Sequence, residues 1–214
     1  MRPITATIGP LTAQSANNIA LSQTPGAAGP LTLNGSLVSN GVAVIGNHQF
    51  ITITTTDTTH TFTITGATST GSLLTETVTG NGTSATSVLS YSKVSSIVIS
   101  GAATGTVTVG TSGIGTTSWV RLDEWASPPV GIQCDVTGTV NYTLQSTYDD
   151  PDGTTNRVSP SAMQWINTND TNAVNATGSV QSNFLFTPTF VRVLLNSGTG
   201  SVAMKVIQYN VASR

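Results

Sequence analysis

The stretch from Gly138 to Gly153, GTVNYTLQSTYDDPDG, constrains the fold of this chain more than any other. Val140, Tyr142, Leu144 and Ser146 alternate with Asn141, Thr143, Gln145 and Thr147. Alternation at period two marks a half-buried strand. The run ends in Asp149-Asp150-Pro151-Asp152-Gly153, a set of residues that stops strand pairing and turns the chain. The same pattern recurs along the chain in weaker form. Val42–Ile45, Gln49–Thr55, His60–Thr65, Thr75–Thr79, Tyr91–Ser100 and Thr106–Val109 read as strands in the first half. Gly131–Val136, Thr139–Tyr148, Val180–Phe186, Phe190–Leu195 and Val202–Tyr209 follow in the second. Gly66, Gly80-Asn81-Gly82 and Gly101 separate the early runs, as turns do. Roughly a fifth of the residues are threonine, and β-branched side chains favour strands. The expected fold is all-β: antiparallel β-sandwich or jelly-roll-like modules, with no helix beyond one turn near Pro160–Asn167.

Three segments are expected. Residues 1–35 carry Pro3, Pro10, Pro25 and Pro30 and read as an extended N-terminal arm, with a short strand at Ile4–Ile8. Residues 36–112 form a first sandwich. Residues 113–214 form a second, jelly-roll-like one. Gly110–Thr117 (GTSGIGTT) reads as the linker between them. The polar stretch from Gly153 to Gly178 reads as a long loop anchored by Met163, Trp165 and Ile166, of the kind that often forms an interface.

Charge excludes several functions. Only 7% of the 214 residues are charged and the formal net charge is −2, against a usual charged share of about 25%. The seven basic residues are scattered singly, which argues against nucleic acid as a partner. No run of about 18 apolar residues exists, so no membrane partner is expected. The N-terminal stretch lacks the continuous apolar core of a secretory leader, and use without export is the expectation. A weakly charged, Thr-rich surface suits a protein packed against neighbours.

Few residues could carry chemistry. Asp149, Asp150 and Asp152 could together bind Ca²⁺, a cation that takes hard oxygen ligands. Their spacing is not that of an EF-hand, and a plain turn explains them as well. His48, His60 and Asp57 could meet across a hairpin as metal ligands or stand apart as exposed residues. Cys134 shares a strand face with Ile132 and Val136 and reads as a buried small hydrophobe. Trp119, Trp125 and Trp165 could line a sugar-binding platform, but core or interface burial is favoured. No nucleophile–base pair, phosphate loop or metalloprotease motif occurs, so no enzymatic activity and no required cofactor are expected.

The chain resembles the small Thr/Gly-rich virion structural proteins of tailed bacteriophages. The likeness rests on Ile4–Pro30, on Phe62–Gly66 with Thr75–Gly80 (FTITG, TETVTG), on Val94–Gly110 (VSSIVISGAATGTVTVG), and on Trp119–Asp123 with Gly138–Asp150. The resemblance implies β-sandwich modules that coat a capsid or build part of a tail. It makes a capsid decoration (cement) protein the first expectation, localised to the virion and assembled in the bacterial host cytoplasm. Its implied partners are the major capsid protein, other virion proteins and copies of itself in a homo-oligomer. A tail adaptor, tube or fibre-base subunit is the alternative, and a carbohydrate-binding adhesion module a further one. Ile4, Ile8, Leu11, Ile19 and Leu21 of the arm, with Trp119, Trp125 and Trp165, are the expected interface residues.

Overall fold

The structure is a computed structural model that describes residues 3–123 and 127–209. The chain is all-β, with strands β1 (Ile4–Ile8), β2 (Ala20–Gln23), β3 (Gly29–Pro30), β4 (Val38–Ser39), β5 (Val42–Thr55), β6 (Thr61–Ala67), β7 (Leu73–Thr79) and β8 (Ser84–Ile99). There follow β9 (Val107–Thr116), β10 (Val120–Arg121), β11 (Ser127–Thr137), β12 (Val140–Thr147), β13 (Ile166–Asn167), β14 (Val180–Phe184), β15 (Phe190–Gly198) and β16 (Ser201–Tyr209). Two short 3-10 turns, Pro160–Ala162 and Thr171–Ala173, interrupt the long polar loop.

The chain forms two compact units. One spans Thr12–Gly115; the other joins the first eleven residues to the chain from Thr116 onward. The former is an insertion, and the latter is split around it.

The split unit is a two-sheet antiparallel sandwich. One sheet runs β1-β16-β11-β14; the facing sheet runs β13-β12-β15 with β10 on the far side of β15. Alternation aims one face of each sheet at the other. Val140, Tyr142 and Leu144 of β12 meet Val191, Val193 and Leu195 of β15, and Ile132, Cys134, Val202, Met204 and Ile8 close the core from the opposite sheet. Counted along the chain within this unit, one sheet holds the first, eighth, third and sixth strands. The other holds the fifth, fourth, seventh and second.

The inserted unit is one antiparallel sheet in the order β9-β5-β8-β6-β7, with β2 on β9, β3 on β8 and β4 on β5. Ile51, Ile53, Phe62, Ile64, Tyr91, Ile97, Ile99, Val107 and Val109 form its buried face. β6 pairs with β8 only from Lys93 to Ile99. Beside the earlier half of β8, the Glu76 carboxylate of β7 accepts from the Val88 and Leu89 backbone N–H groups, at 2.6 and 2.8 Å. A side chain there does the work of a missing strand.

Several expectations change. β8 and β5, at 16 and 14 residues, are longer than β12. Register shifts between Val44 and Gln49 and between Phe50 and Thr52 break their alternation, which hides their length in the sequence. The segment 1–35 is not one arm. Ile4–Ile8 is an edge strand on β16, while residues from Thr12 lie along the inserted unit. Ser15 N donates to Thr111 O and Ile19 N to Val109 O, both at 3.0 Å. Gly110–Thr117 is not a flexible linker, because most of it lies in β9 and Thr111, Thr116 and Thr117 are buried. Gly110 serves close approach: a Cβ there would lie 1.8 Å from Ser15 O. The division between the units falls at Gly115/Thr116 rather than after residue 112.

Candidate functional site

In the split unit, the outward face of β12 and β15 carries a layer of aromatic and polar side chains. Register sets Gln145 opposite Arg192 and Thr147 opposite Phe190. β10 adds Arg121 beside Phe190. The loop after β12 brings Trp165 over this face. The Arg192 guanidinium lies 4.0 Å from the Trp165 ring centroid, and its Nε donates to Gln145 Oε1 at 2.9 Å. Burial pulls the Arg192 pKa down to about 9. Trp119 leans on Trp165 at 5.4 Å and 52°, and on Phe190 at 6.1 Å.

Two of the three sequence-predicted tryptophans thus meet, both half-buried. Trp125 lies outside the described residues. Arg192 stacks on Trp165, and the two rings are tilted. The pair therefore does not present the coplanar platform that stacks on a sugar.

The acidic turn is engaged in protein contacts. Asp150 receives both terminal nitrogens of Arg121, at 2.8 and 2.5 Å. This fork, reinforced by the Asp152 N–H, holds the Asp150 carboxyl down at about 2. Asp149 Oδ2 accepts from Gln164 N at 2.6 Å, tying the long loop to the end of β12. Asp152 is exposed, 3.8 Å from Arg121. Among the described residues no group of three or more His, Cys, Asp or Glu side chains could hold a metal ion. Asp149, Asp150 and Asp152 are therefore not gathered as the Ca²⁺ reading requires.

The two histidines have separate partners. His60 Nδ1 lies 2.7 Å from Asp57 Oδ2, and Asp57 also accepts from the Thr59, His60 and Thr104 backbone N–H groups. Those bonds hold its carboxyl well below the usual range. His48 Nε2 accepts from Ser69 N at 2.8 Å, and burial lowers its pKa. Cys134 is buried in the split unit's core, and burial pushes its thiol up to about 11, away from reactivity.

The expected arm contacts divide. Ile8 and Ile19 are buried in the cores of their own units, so their apolar surface is already taken up. Leu11 is half-buried, while Ile4 and Leu21 are exposed.

A cluster of exposed apolar side chains lies elsewhere, at the end of the split unit where β12, β13 and β14 finish. Tyr148, Ile166, Leu185 and Phe186 are 67, 65, 71 and 76% exposed. They line one groove of about 450 Å³. Of the three expected anchors of the long loop, Met163 is buried and Trp165 half-buried, while Ile166 is on this surface; Ala173 and Ala176 are buried beside them in the chain. The signal that could have found the groove is Phe184-Leu185-Phe186, three consecutive apolar residues. A strand cannot point all three at one core.

In comparisons with known proteins, no family model, no curated protein and no solved structure matches this chain.

Proposed function

We propose that the protein is a non-enzymatic structural component of a tailed-bacteriophage particle, a capsid decoration (cement) protein that binds the assembled head. One observation carries the reading: the strand order of the split unit. First-eighth-third-sixth facing fifth-fourth-seventh-second is the order of a jelly roll, two interlocked Greek keys, an architecture used by viral capsid and lectin domains. The Thr/Gly cadence that carries the resemblance to virion proteins, Phe62–Gly66, Thr75–Gly80 and Val94–Gly110, lies largely on β6, β7, β8 and β9 of the inserted unit. Sparse charge and an apolar groove suit docking on a repeated lattice.

Fold by itself does not fix function, so the test is compositional. Purified particles are assayed by quantitative mass spectrometry for this chain against the major capsid protein. A copy number close to that of the capsid protein is the expected result. A small fixed number per particle would make the protein a tail component. Absence from the particle would overturn the reading. A lectin-type role, which the same architecture also serves, has the tilted Trp119–Trp165 pair against it, and would require glycan binding that Trp165→Ala abolishes.

A further inference from the structure

We propose that the groove lined by Tyr148, Ile166, Leu185 and Phe186 is where a second copy of this chain docks, the two related by a two-fold axis with Phe186 of each seated in the groove of the other. The inference rests on the structural-protein reading and names a partner for this surface. Twelve large hydrophobic side chains are exposed among the described residues, and four converge here. Phe186 both lines the groove and is its most exposed aromatic residue. A knob and its hole on one patch are what an isologous contact needs, since each copy must offer both.

Charge allows self-docking. Asp170 is the one charged residue lining the groove. Its Oδ1 already accepts from the Asn172 backbone N–H and Nδ2, at 3.0 and 3.1 Å. Doubling the surface on itself therefore sets no wall of like charge against its image. Area is sufficient. Tyr148 and Phe186, as aromatic side chains of roughly 150–250 Å² each, give on the order of 300 Å² at these exposures, and the smaller aliphatic Ile166 and Leu185 bring the patch to on the order of 500 Å² per copy. Two copies then bury about 1,000 Å² before any rim is counted, the lower bound for a specific interface.

The test is the oligomeric state of the full chain in solution. Sedimentation velocity over a range of concentrations should give a dimer. Leu185→Ser with Phe186→Ser should weaken it by at least about tenfold in Kd, the effect expected of truncating a hot spot. Circular dichroism and the melting temperature check that the variant folds. Val44→Ser, at another exposed hydrophobe, should leave the dimer intact. Hydrogen exchange at residues 183–186 should slow as wild-type concentration rises. A wild-type monomer at every concentration, or an oligomer indifferent to the double substitution, would overturn the proposal. Particle counts keep the two readings apart. A chain abundant in particles but monomeric when isolated overturns only the docking. A groove-dependent dimer absent from particles overturns only the virion reading.

Discussion

Arg121 holds Asp150 in a fork, Nη1 to Oδ1 at 2.8 Å and Nη2 to Oδ2 at 2.5 Å. The contact joins β10 to the turn after β12, and so fixes the end of the sheet beside which the long loop begins. It also sets an acid dependence. The folded carboxyl titrates at about 2, below the ordinary aspartate value of about 3.9. A depressed folded pKa contributes stability that is present above the unfolded value and is lost as pH falls through the folded one. Arg121→Gln should therefore make the decline of the melting temperature between about pH 4 and pH 2 shallower than in wild type. Equal slopes would show that the fork does not couple to folding.

Tyr142 is fully buried, and its hydroxyl donates to Gly178 O at 3.0 Å, closing the long loop onto β12. Tyr142→Phe removes that bond at a cost of about 1 kcal/mol, or roughly 2–4 °C in melting temperature for a domain of 150–250 residues. Leu144→Ala, two residues along the same core face, should cost more, about 2–5 kcal/mol, because it also leaves a cavity. Calorimetry of both variants checks the order. A larger loss for Tyr142→Phe would mean that the hydroxyl organises the loop rather than only capping it.

Those two residues also mark what could be read without coordinates. Alternation in Thr139–Tyr148 is local, so the buried set Val140, Tyr142 and Leu144 was legible. The all-β class followed from many such runs. β5 and β8 were legible only in pieces, because their irregularities shift the period within one strand. Gly110 misled for a physical reason: glycine is chosen both for flexibility and for close approach, and sequence does not separate the two. The pairing of Ile4–Ile8 with β16 spans most of the chain, and nothing local in either strand announces it. The aromatic layer was half legible. Trp119 and Trp165 stood out as residues, but Arg192 and Phe190, which fix their geometry, look like any other strand residues.

Glu76 offers a test with the opposite sign to Asp150. Burial raises its carboxyl above the usual range, against the pull of the bonds from Val88 and Leu89. A raised folded pKa contributes stability that is complete below the unfolded value, about 4.3, and is lost as pH rises through the folded one. Glu76→Gln keeps the shape but turns a donor toward one of the two N–H groups, leaving it unpaired at a cost of about 1–3 kcal/mol. Melting temperatures of both proteins should show the gap widest in acid and narrower toward neutral pH. A gap that widens with pH would mean that the carboxylate is favoured in the fold, and that its two N–H bonds outweigh its desolvation.

Gly110 and Gly131 are both strand glycines, and geometry assigns them different fates. A Cβ on Gly110 would lie 1.8 Å from Ser15 O, 2.7 Å from Ser15 C and 2.8 Å from Ala16 C. All three are backbone atoms, which cannot swing aside as a side chain can. Gly110→Ala must therefore push the segment off β9. That endangers the Ser15–Thr111 backbone bond and the paired bonds between the Asn18 amide and Thr111, at 2.8 and 3.0 Å. The cost should reach about 1–3 kcal/mol, as for an overpacked core, and cleavage by a nonspecific protease should appear between residues 12 and 19. At Gly131 the nearest atom to an added Cβ is Ile207 O at 3.8 Å, an ordinary contact. Gly131→Ala should leave stability unchanged or raise it by about 0.4–1 kcal/mol by restricting the unfolded chain. Thermal melts with limited proteolysis of both variants decide the matter. If Gly110→Ala melts with wild type and resists the protease, the segment from Thr12 to Ile19 is not seated on β9.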